Sequence, residues 1–267
     1  MSTGRHVALG TISFTLCFAA WGLIGAFAPR FQATLHLNSF QAHFLAAVPV
    51  LLGALARIPV GMLTDRFGGR WVFAALMAVA AVPVWLVPRQ TTYAGLVAAA
   101  FFLGLAGSSF AVGVGYVSRW TPPERQGSAL GVYGLGNIGQ SAALFLGPVL
   151  AARIGFDAVY KIVAALLVIW AVVFAASARN APVPPGTRRA GIGDMLRILA
   201  TGKLAWLLAA FYFLTFGGFV AFATFLPILL RDEFQLAATD AGFRAAGFVV
   251  LATLLRPLGG WLSDRIG

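Results

Sequence analysis

The chain has 267 residues, of which 60% are hydrophobic and only 10% are charged. Because a soluble domain carries about 25% charged residues, this composition excludes a soluble globular protein and predicts an integral membrane protein. A single cysteine, Cys17, excludes a disulfide framework. The sequence shows no cluster of metal ligands, so we expect neither a metal nor another cofactor.

The net charge of +11, taken alone, is compatible with nucleic-acid binding. If the N-terminus is cytoplasmic, however, eleven of the nineteen lysines and arginines fall on the cytoplasmic side and six on the other, while Arg57 and Arg256 lie inside apolar stretches. This bias is the positive-inside pattern that orients spanning helices. We therefore expect a multi-pass protein of the inner (plasma) membrane, with the lipid bilayer and no nucleic acid as partner.

Eight stretches reach the length of about 20 mostly apolar residues that a spanning helix needs. In chain order they cover residues 7–29, 40–63, 71–88, 92–118, 126–150, 157–178, 204–230 and 240–262. The fifth stretch is rich in glycine, as membrane helices are where two backbones approach closely. The predicted fold class is therefore an all-α membrane protein.

Residues 179–203 differ from the rest of the chain, because they hold three prolines and five basic residues. This composition predicts a cytoplasmic linker. It would separate an N-terminal six-helix bundle, residues 1–178, from residues 204–267, which would form the first two helices of a second bundle.

The two predicted halves share a repeated segment. RIPVGMLTDRFG (57–68) matches RPLGGWLSDRIG (256–267) at an offset of 199 residues without a gap. Duplicated halves are typical of secondary transporters. Since the second half stops after two spans, we expect this chain to be a C-terminally truncated form of a twelve-helix protein.

Arg57 and Arg256 open the two copies of this segment and lie within apolar stretches. A lone arginine at the middle of a membrane costs about 2.5–3.5 kcal/mol on insertion scales. Asp65 is eight residues from Arg57, or about 12 Å along a helix, which is too far for an easy ion pair. The pattern predicts a paired site for an anion, and the alternative is that both side chains extend towards the membrane surface.

The loop after the second stretch has the pattern G-x-x-x-D-R-x-G-x-R at residues 61–70. It resembles the loop signature of the major facilitator superfamily, in which this loop helps to close the cytoplasmic side. In physical terms Gly61 would let a neighbouring helix pack closely, and Asp65 would cap a helix or form an ion pair with a basic side chain. Gly68 would permit a tight turn. The predicted gating residues are Gly61, Asp65, Arg66, Gly68 and Arg70, with Asp264 and Arg265 in the second copy.

Three further segments resemble the nitrate/nitrite porter family of that superfamily. They are GLGNIG (134–139), TPPERQG (121–127) and the aromatic and glycine-rich FYFLTFGGF (211–219). The resemblance implies a substrate site on five spans, and it covers nearly the whole chain. The implied substrate-binding residues are Arg57, Arg256, Asn137, Tyr212, Phe216 and Phe110.

The resemblance and the paired arginines together predict a secondary transporter of nitrate and nitrite that works by alternating access. Transport would be nitrate/nitrite exchange or proton-coupled uptake by a monomeric protein. Alternatives are a facilitator of another substrate, such as a cyanate-like anion or an exported drug, and a membrane sensor that transports nothing. We expect no enzyme activity, because the sequence holds no arrangement of nucleophile and base.

Overall fold

The computed structural model describes residues 3–182 and 192–266, and every regular element in these two ranges is helical. Eight helical segments are long and apolar enough to cross a membrane, which confirms the predicted number and order. We call them spans 1 to 8: Thr3–Ala26, Ser39–Phe67, Gly69–Arg89, Tyr93–Trp120, Pro123–Ile154, Phe156–Ser177, Lys203–Ala223 and Phe243–Ile266. Residues 183–191 of the predicted linker, and Gly267 of the repeated segment, lie outside the described residues.

Several spans consist of more than one helix. Span 2 contains the helices Ser39–Leu55 and Arg57–Phe67, and span 3 contains the helix Gly69–Leu86 and the 3₁₀ turn Val87–Arg89. Span 4 contains the helix Tyr93–Leu103, the 3₁₀ segment Gly104–Ser108 and the helix Ser109–Trp120. Span 5 contains the 3₁₀ turn Pro123–Arg125, the helix Gln126–Gly134, the 3₁₀ turn Leu135–Asn137 and the helix Ile138–Ile154. The remaining helices are Ala28–Thr34, Ile192–Thr201, Lys203–Tyr212, the π segment Phe213–Gly217, Gly218–Asp232 and Ala238–Ile266.

The first span ends earlier than the sequence predicts. Its helix stops at Ala26, and Pro29 lies in the first turn of the separate helix Ala28–Thr34. Proline is favoured in a first turn, because its missing N–H would have no partner there. The first helix therefore ends a few residues before the approximate bound given from the sequence.

The chain divides into two compact units. One comprises Met1–Pro182 with Arg256–Gly267, and the other comprises Val183–Leu255. In the first unit span 1 packs along the second helix of span 5, span 3 packs on span 6, and span 2 packs on span 4. The predicted domain boundaries at 178 and 204 stay a prediction.

Glycines allow the closest of these contacts in the first unit. A Cβ at Gly139 would overlap the backbone of Thr15, and a Cβ at Gly136 would overlap the ring of Phe14. Spans 1 and 5 therefore touch backbone to backbone, as small residues permit in membranes. The same device brings span 2 onto span 4, where a Cβ on Gly53 would lie 2.9 Å from the carbonyl oxygen of Gly104.

The second unit, described for residues 192–255, holds span 7 and the first part of the helix Ala238–Ile266. Aromatic rings connect its two long helices. Phe219 lies 6.2 Å from Phe248, and Phe222 lies 5.7 Å from the same ring, measured between ring centroids. These contacts join span 7 to span 8 within the unit.

Candidate functional site

Four spans lose regular α-helical geometry part-way along, and five of the six predicted substrate residues lie at these breaks. Arg57 is the first residue after the break in span 2, and Phe110 lies just after the 3₁₀ segment of span 4. Asn137 ends the 3₁₀ turn of span 5. Tyr212 directly precedes the π segment of span 7, and Phe216 lies within it. Such departures often mark functional sites in helices.

Proline chemistry accounts for the break beside Arg57. Pro59 has no N–H to donate to the carbonyl of Leu55, four residues earlier, so a regular helix cannot run through this point. The helix accordingly ends at Leu55 and restarts at Arg57. The Arg57 side chain is half-buried, and its guanidinium carbon lies 5.9 Å from the centre of the Phe110 ring. This distance is within the range of a cation–π contact.

Arg256 lies against the glycine-rich face of span 5. Its Cδ atom is 3.0 Å, and its Nη1 atom 3.4 Å, from the position that a Cβ on Gly134 would occupy. A Cβ on Gly131 would lie 2.5 Å from the carbonyl oxygen of Arg256, so only glycine fits at this crossing. The half-buried side chain of Arg256 therefore lies along span 5.

Asn137 is 2% exposed, and within the described residues neither amide atom of its side chain has a hydrogen-bond partner. It lies three residues after Gly134, and side chains three residues apart stand on one face of a 3₁₀ turn. Leaving a buried polar group unpaired costs about 1–3 kcal/mol. The unpaired amide is therefore the feature that a bound polar ligand would stabilise most directly.

The first unit contains four of the predicted substrate residues, and contacts or chain neighbours connect them. Phe110 touches Arg57 on one side and lies 5.9 Å from the ring of Tyr133 on the other. Tyr133 precedes Gly134, which contacts Arg256, and Asn137 follows on the same segment. Tyr212 and Phe216 lie in the second unit, where their rings are stacked with centroids 5.1 Å apart.

The first copy of the loop motif forms contacts with spans 4 and 6. Asp65 accepts a hydrogen bond of 2.8 Å from Arg119, and Arg70 donates one of 2.7 Å to the carbonyl of Ala175. Gly68 has a φ of +85°, a value that favours glycine, so the predicted turn is present. Arg66 lies over the ring of Phe67 at 5.4 Å.

The structure does not support the packing role predicted for Gly61. No heavy atom of the described chain, apart from neighbouring backbone, lies within 4 Å of where its Cβ would be. The expected close approach of a helix at Gly61 is therefore wrong for this conformation, because the helix Arg57–Phe67 meets span 4 through other residues, among them Thr64, which lies 3.4 Å from where a Cβ on Gly115 would be.

The second copy of the motif caps span 5. Its Asp264 accepts hydrogen bonds from the backbone N–H groups of Gly127 at 2.6 Å and Ser128 at 2.7 Å. These groups belong to the first turn of the helix Gln126–Gly134, where backbone donors lack intrahelical partners and a negative charge is favoured. Arg265 lies 4.2 Å from the centre of the Trp261 ring.

Comparisons with known proteins agree with the repeated loop motif and the helical architecture. The sequence profile of the Major Facilitator Superfamily matches residues 10–267. The chain is 39% identical to a probable nitrate/nitrite transporter of Mycobacterium tuberculosis and 34% identical to the nitrite extrusion protein of Bacillus subtilis, in each case over 67% of the relative and at least 98% of this chain. The chain belongs to the major facilitator superfamily and, within it, to the nitrate/nitrite porter family.

Solved structures of other members have the same fold as this facilitator. The human organic anion transporter MFSD10 and the fucose:proton symporter of E. coli each superimpose with a TM-score of 0.72, over 100% of this chain and 73% of the other. Sequence identities are 16% and 18%, so this likeness concerns the fold alone.

Two residues beside the candidate site were not predicted from the sequence. Tyr133 is fully buried, and its hydroxyl donates a hydrogen bond of 3.1 Å to the carbonyl of Ser109 beside Phe110. Phe14 of span 1 lies 4.9 Å from Tyr133 and 5.5 Å from Phe110. Tyr133 stands next to the GLGNIG segment, which is a usable signal, whereas nothing in the sequence separates Phe14 from the other phenylalanines.

Proposed function

We propose that this facilitator carries nitrate and nitrite, with the anion held between Arg57 and Arg256. The observation that carries the proposal is the buried amide of Asn137, which has no partner within the described residues and follows the segment that contacts Arg256. A small oxyanion accepting a hydrogen bond from Nδ2 would satisfy this group. The names of the relatives, which refer to nitrate and nitrite, agree with such a ligand.

The arginines supply the attraction for the anion. A unit charge about 4 Å from a guanidinium gains roughly 4 kcal/mol at an effective dielectric constant near 20, before desolvation costs. The planar donors of arginine match the oxygen atoms of a planar anion in pairs. In our proposal the ring of Phe110, beside Arg57, gives the site a flat wall that favours nitrate over tetrahedral anions.

Transport proceeds by alternating access, and the two loop motifs act as gates. In the proposed cycle, the hydrogen bonds from Gly127 and Ser128 to Asp264 hold the cytoplasmic side closed. A bound anion offsets the charge of the arginine pair and so lowers the cost of the conformational change, whereas the empty carrier is disfavoured. This charge balance favours exchange of one anion for another over proton-coupled uptake.

The proposed location and orientation follow from the apolar composition and the placement of the basic residues. The protein works in the inner (plasma) membrane as a monomer, with its N-terminus and the segment 179–203 in the cytoplasm. It performs transport and no enzymatic reaction. The alternative substrates are a cyanate-like anion and an exported drug, and the human organic anion transporter that shares the fold illustrates how widely substrates vary.

Counterflow in vesicles tests the proposal. The protein, expressed from its whole gene and reconstituted, should take up labelled nitrate rapidly when the vesicles contain nitrite, and slowly when they are empty. Excess cyanate or sulfate outside should compete weakly, and an imposed pH gradient should change the rate little. Uptake into empty vesicles that follows the pH gradient would contradict exchange, and transport of cyanate or of a cationic dye without nitrate would favour the alternatives.

A further inference from the structure

A shallow apolar groove lies on the surface of the first unit between spans 3 and 6. Its volume is about 610 Å³. Four of its lining residues are alanines, whose small side chains leave space between the two helices. The lining residues are Ala78, Ala81, Val82 and Trp85 of span 3 with Lys161, Ala164, Ala165, Val168 and Ile169 of span 6. We call this the span 3–6 groove.

Cationic side chains stand at one end of the span 3–6 groove. Lys161 belongs to its lining, and the Arg89 guanidinium carbon lies 3.5 Å from the centre of the Trp85 ring, which also lines it. Arg89 additionally donates a hydrogen bond to the Trp85 carbonyl, and the turn Val87–Arg89 packs on the helix of span 6. The groove is therefore apolar along its length and positive at one end.

One carboxylate accompanies these cations. Asp157 forms an ion pair with Lys161 one helical turn earlier, so the local charge of Asp157, Lys161 and Arg89 sums to +1. An ammonium group has three donors, and a single carboxylate contact does not exhaust them. Lysine and arginine at the ends of spans reach towards the polar headgroups, and tryptophan is enriched at the same depth.

We propose that the span 3–6 groove binds an anionic phospholipid. One acyl chain lies along the alanines, and the phosphate is held between Lys161 and Arg89. The local net charge of +1 favours a lipid with one net negative charge, such as phosphatidylglycerol, over a zwitterionic lipid with the same chains. A free phosphate would lack the apolar part of the contact, so the proposal commits to the intact lipid.

Lipid selectivity of the purified protein tests the proposal. After delipidation in a neutral detergent, we expect native mass spectrometry to show one retained phosphatidylglycerol, and its addition to raise Tm more than phosphatidylcholine with identical chains. Lys161→Gln and Arg89→Gln should each remove at least half of this difference in Tm. Arg153→Gln, an exposed cation outside the groove lining, should keep it.

Filling the groove tests the apolar part separately. Ala165 is exposed and lines the groove, so Ala165→Phe should weaken binding of both lipids, whereas Leu166→Phe, on a neighbouring exposed residue outside the lining, should not. The proposal is overturned if both lipids raise Tm equally, if Lys161→Gln keeps the full selectivity, or if glycerol phosphate without acyl chains gives the same stabilisation.

Discussion

At the scale of single residues, the decisive chemistry is that of permanent cations within membrane-spanning helices. Arg57 and Arg256 both have half-buried side chains packed against other spans, namely the ring of Phe110 and the backbone of Gly134. Arginine does not lose its proton in proteins. An anion close to either guanidinium would lower the energetic cost of placing these charges here, which is the role our proposal gives to the transported ion.

Arg57→Lys separates charge from geometry, because lysine keeps the positive charge and loses the planar set of donors. We expect nitrate transport to fall by about ten- to a hundredfold, since a charge-assisted hydrogen bond is worth about 1.5–3 kcal/mol and roughly 1.4 kcal/mol corresponds to a factor of ten. Initial uptake rates, normalised to the amount of protein in the membrane, measure the effect.

Arg153→Lys is the matched control, because Arg153 is exposed at the end of its helix and has no predicted role at the site. It should transport at the rate of the unaltered protein. Near-normal nitrate uptake by Arg57→Lys would refute the clamp, while loss of both variants from the membrane would point to insertion instead.

At the scale of helices, the contact between spans 5 and 8 depends on residues that are small or acidic. Gly127 and Gly260 are so close that a Cβ on either would overlap the backbone of the other helix. Asp264 lies one turn further along and accepts two backbone hydrogen bonds from the start of span 5. Two helices that meet in this way can move apart without either of them unfolding, which suits a gate.

Asp264→Ala removes both of these hydrogen bonds and the negative charge at the helix N-terminus. Loss of a cap costs about 0.5–2 kcal/mol, so the equilibrium between closed and open cytoplasmic sides should shift by about two- to thirtyfold. Asp264→Asn should be intermediate, because an amide has only one acceptor oxygen. Spin labels at Glu124 and Ser263, both exposed, should report a larger population at longer distances.

Asp240→Asn is the control for charge alone, since the pair between Asp240 and Arg244 is exposed and lies within one helix. It should leave the distance distribution unchanged. If Asp264→Ala gives the same distribution and the same transport rate as the unaltered protein, Asp264 has no gating role.

At the scale of the whole molecule, orientation is set by basic residues outside the spans, because positive charges are retained on the cytoplasmic side. In the orientation we propose, the excess of lysine and arginine at the end that carries the N-terminus puts the turn between spans 3 and 4 outside the cell. The turn between spans 4 and 5 then lies in the cytoplasm.

Cysteine labelling measures this orientation. In intact cells a membrane-impermeant maleimide should label Thr91→Cys, which is exposed between spans 3 and 4. Glu124→Cys, exposed between spans 4 and 5, should react only after permeabilisation. The unaltered chain is the control, because its single cysteine, Cys17, is buried. The reverse labelling pattern would contradict the assigned orientation.

The sequence by itself determined the membrane class, the eight spans and their order, because apolar length and charge placement act locally along the chain. It also singled out Gly68 for a turn, since a turn needs a particular residue type, and Asp264 as the acidic residue of the second motif copy, without indicating that it caps a helix. The family followed from the repeated loop motif and the GLGNIG segment. All of these are properties of short segments that any fold would have to satisfy.

Only the tertiary structure decided which residues meet. The contact of Arg256 with Gly134, the partners of Asp264 and the places of Tyr133 and Phe14 depend on where spans 1, 4, 5 and 8 cross. The open space at Gly61 depends on the same crossings. Helix crossings arise from the combined packing of many side chains far apart in the chain, and no local pattern specifies them.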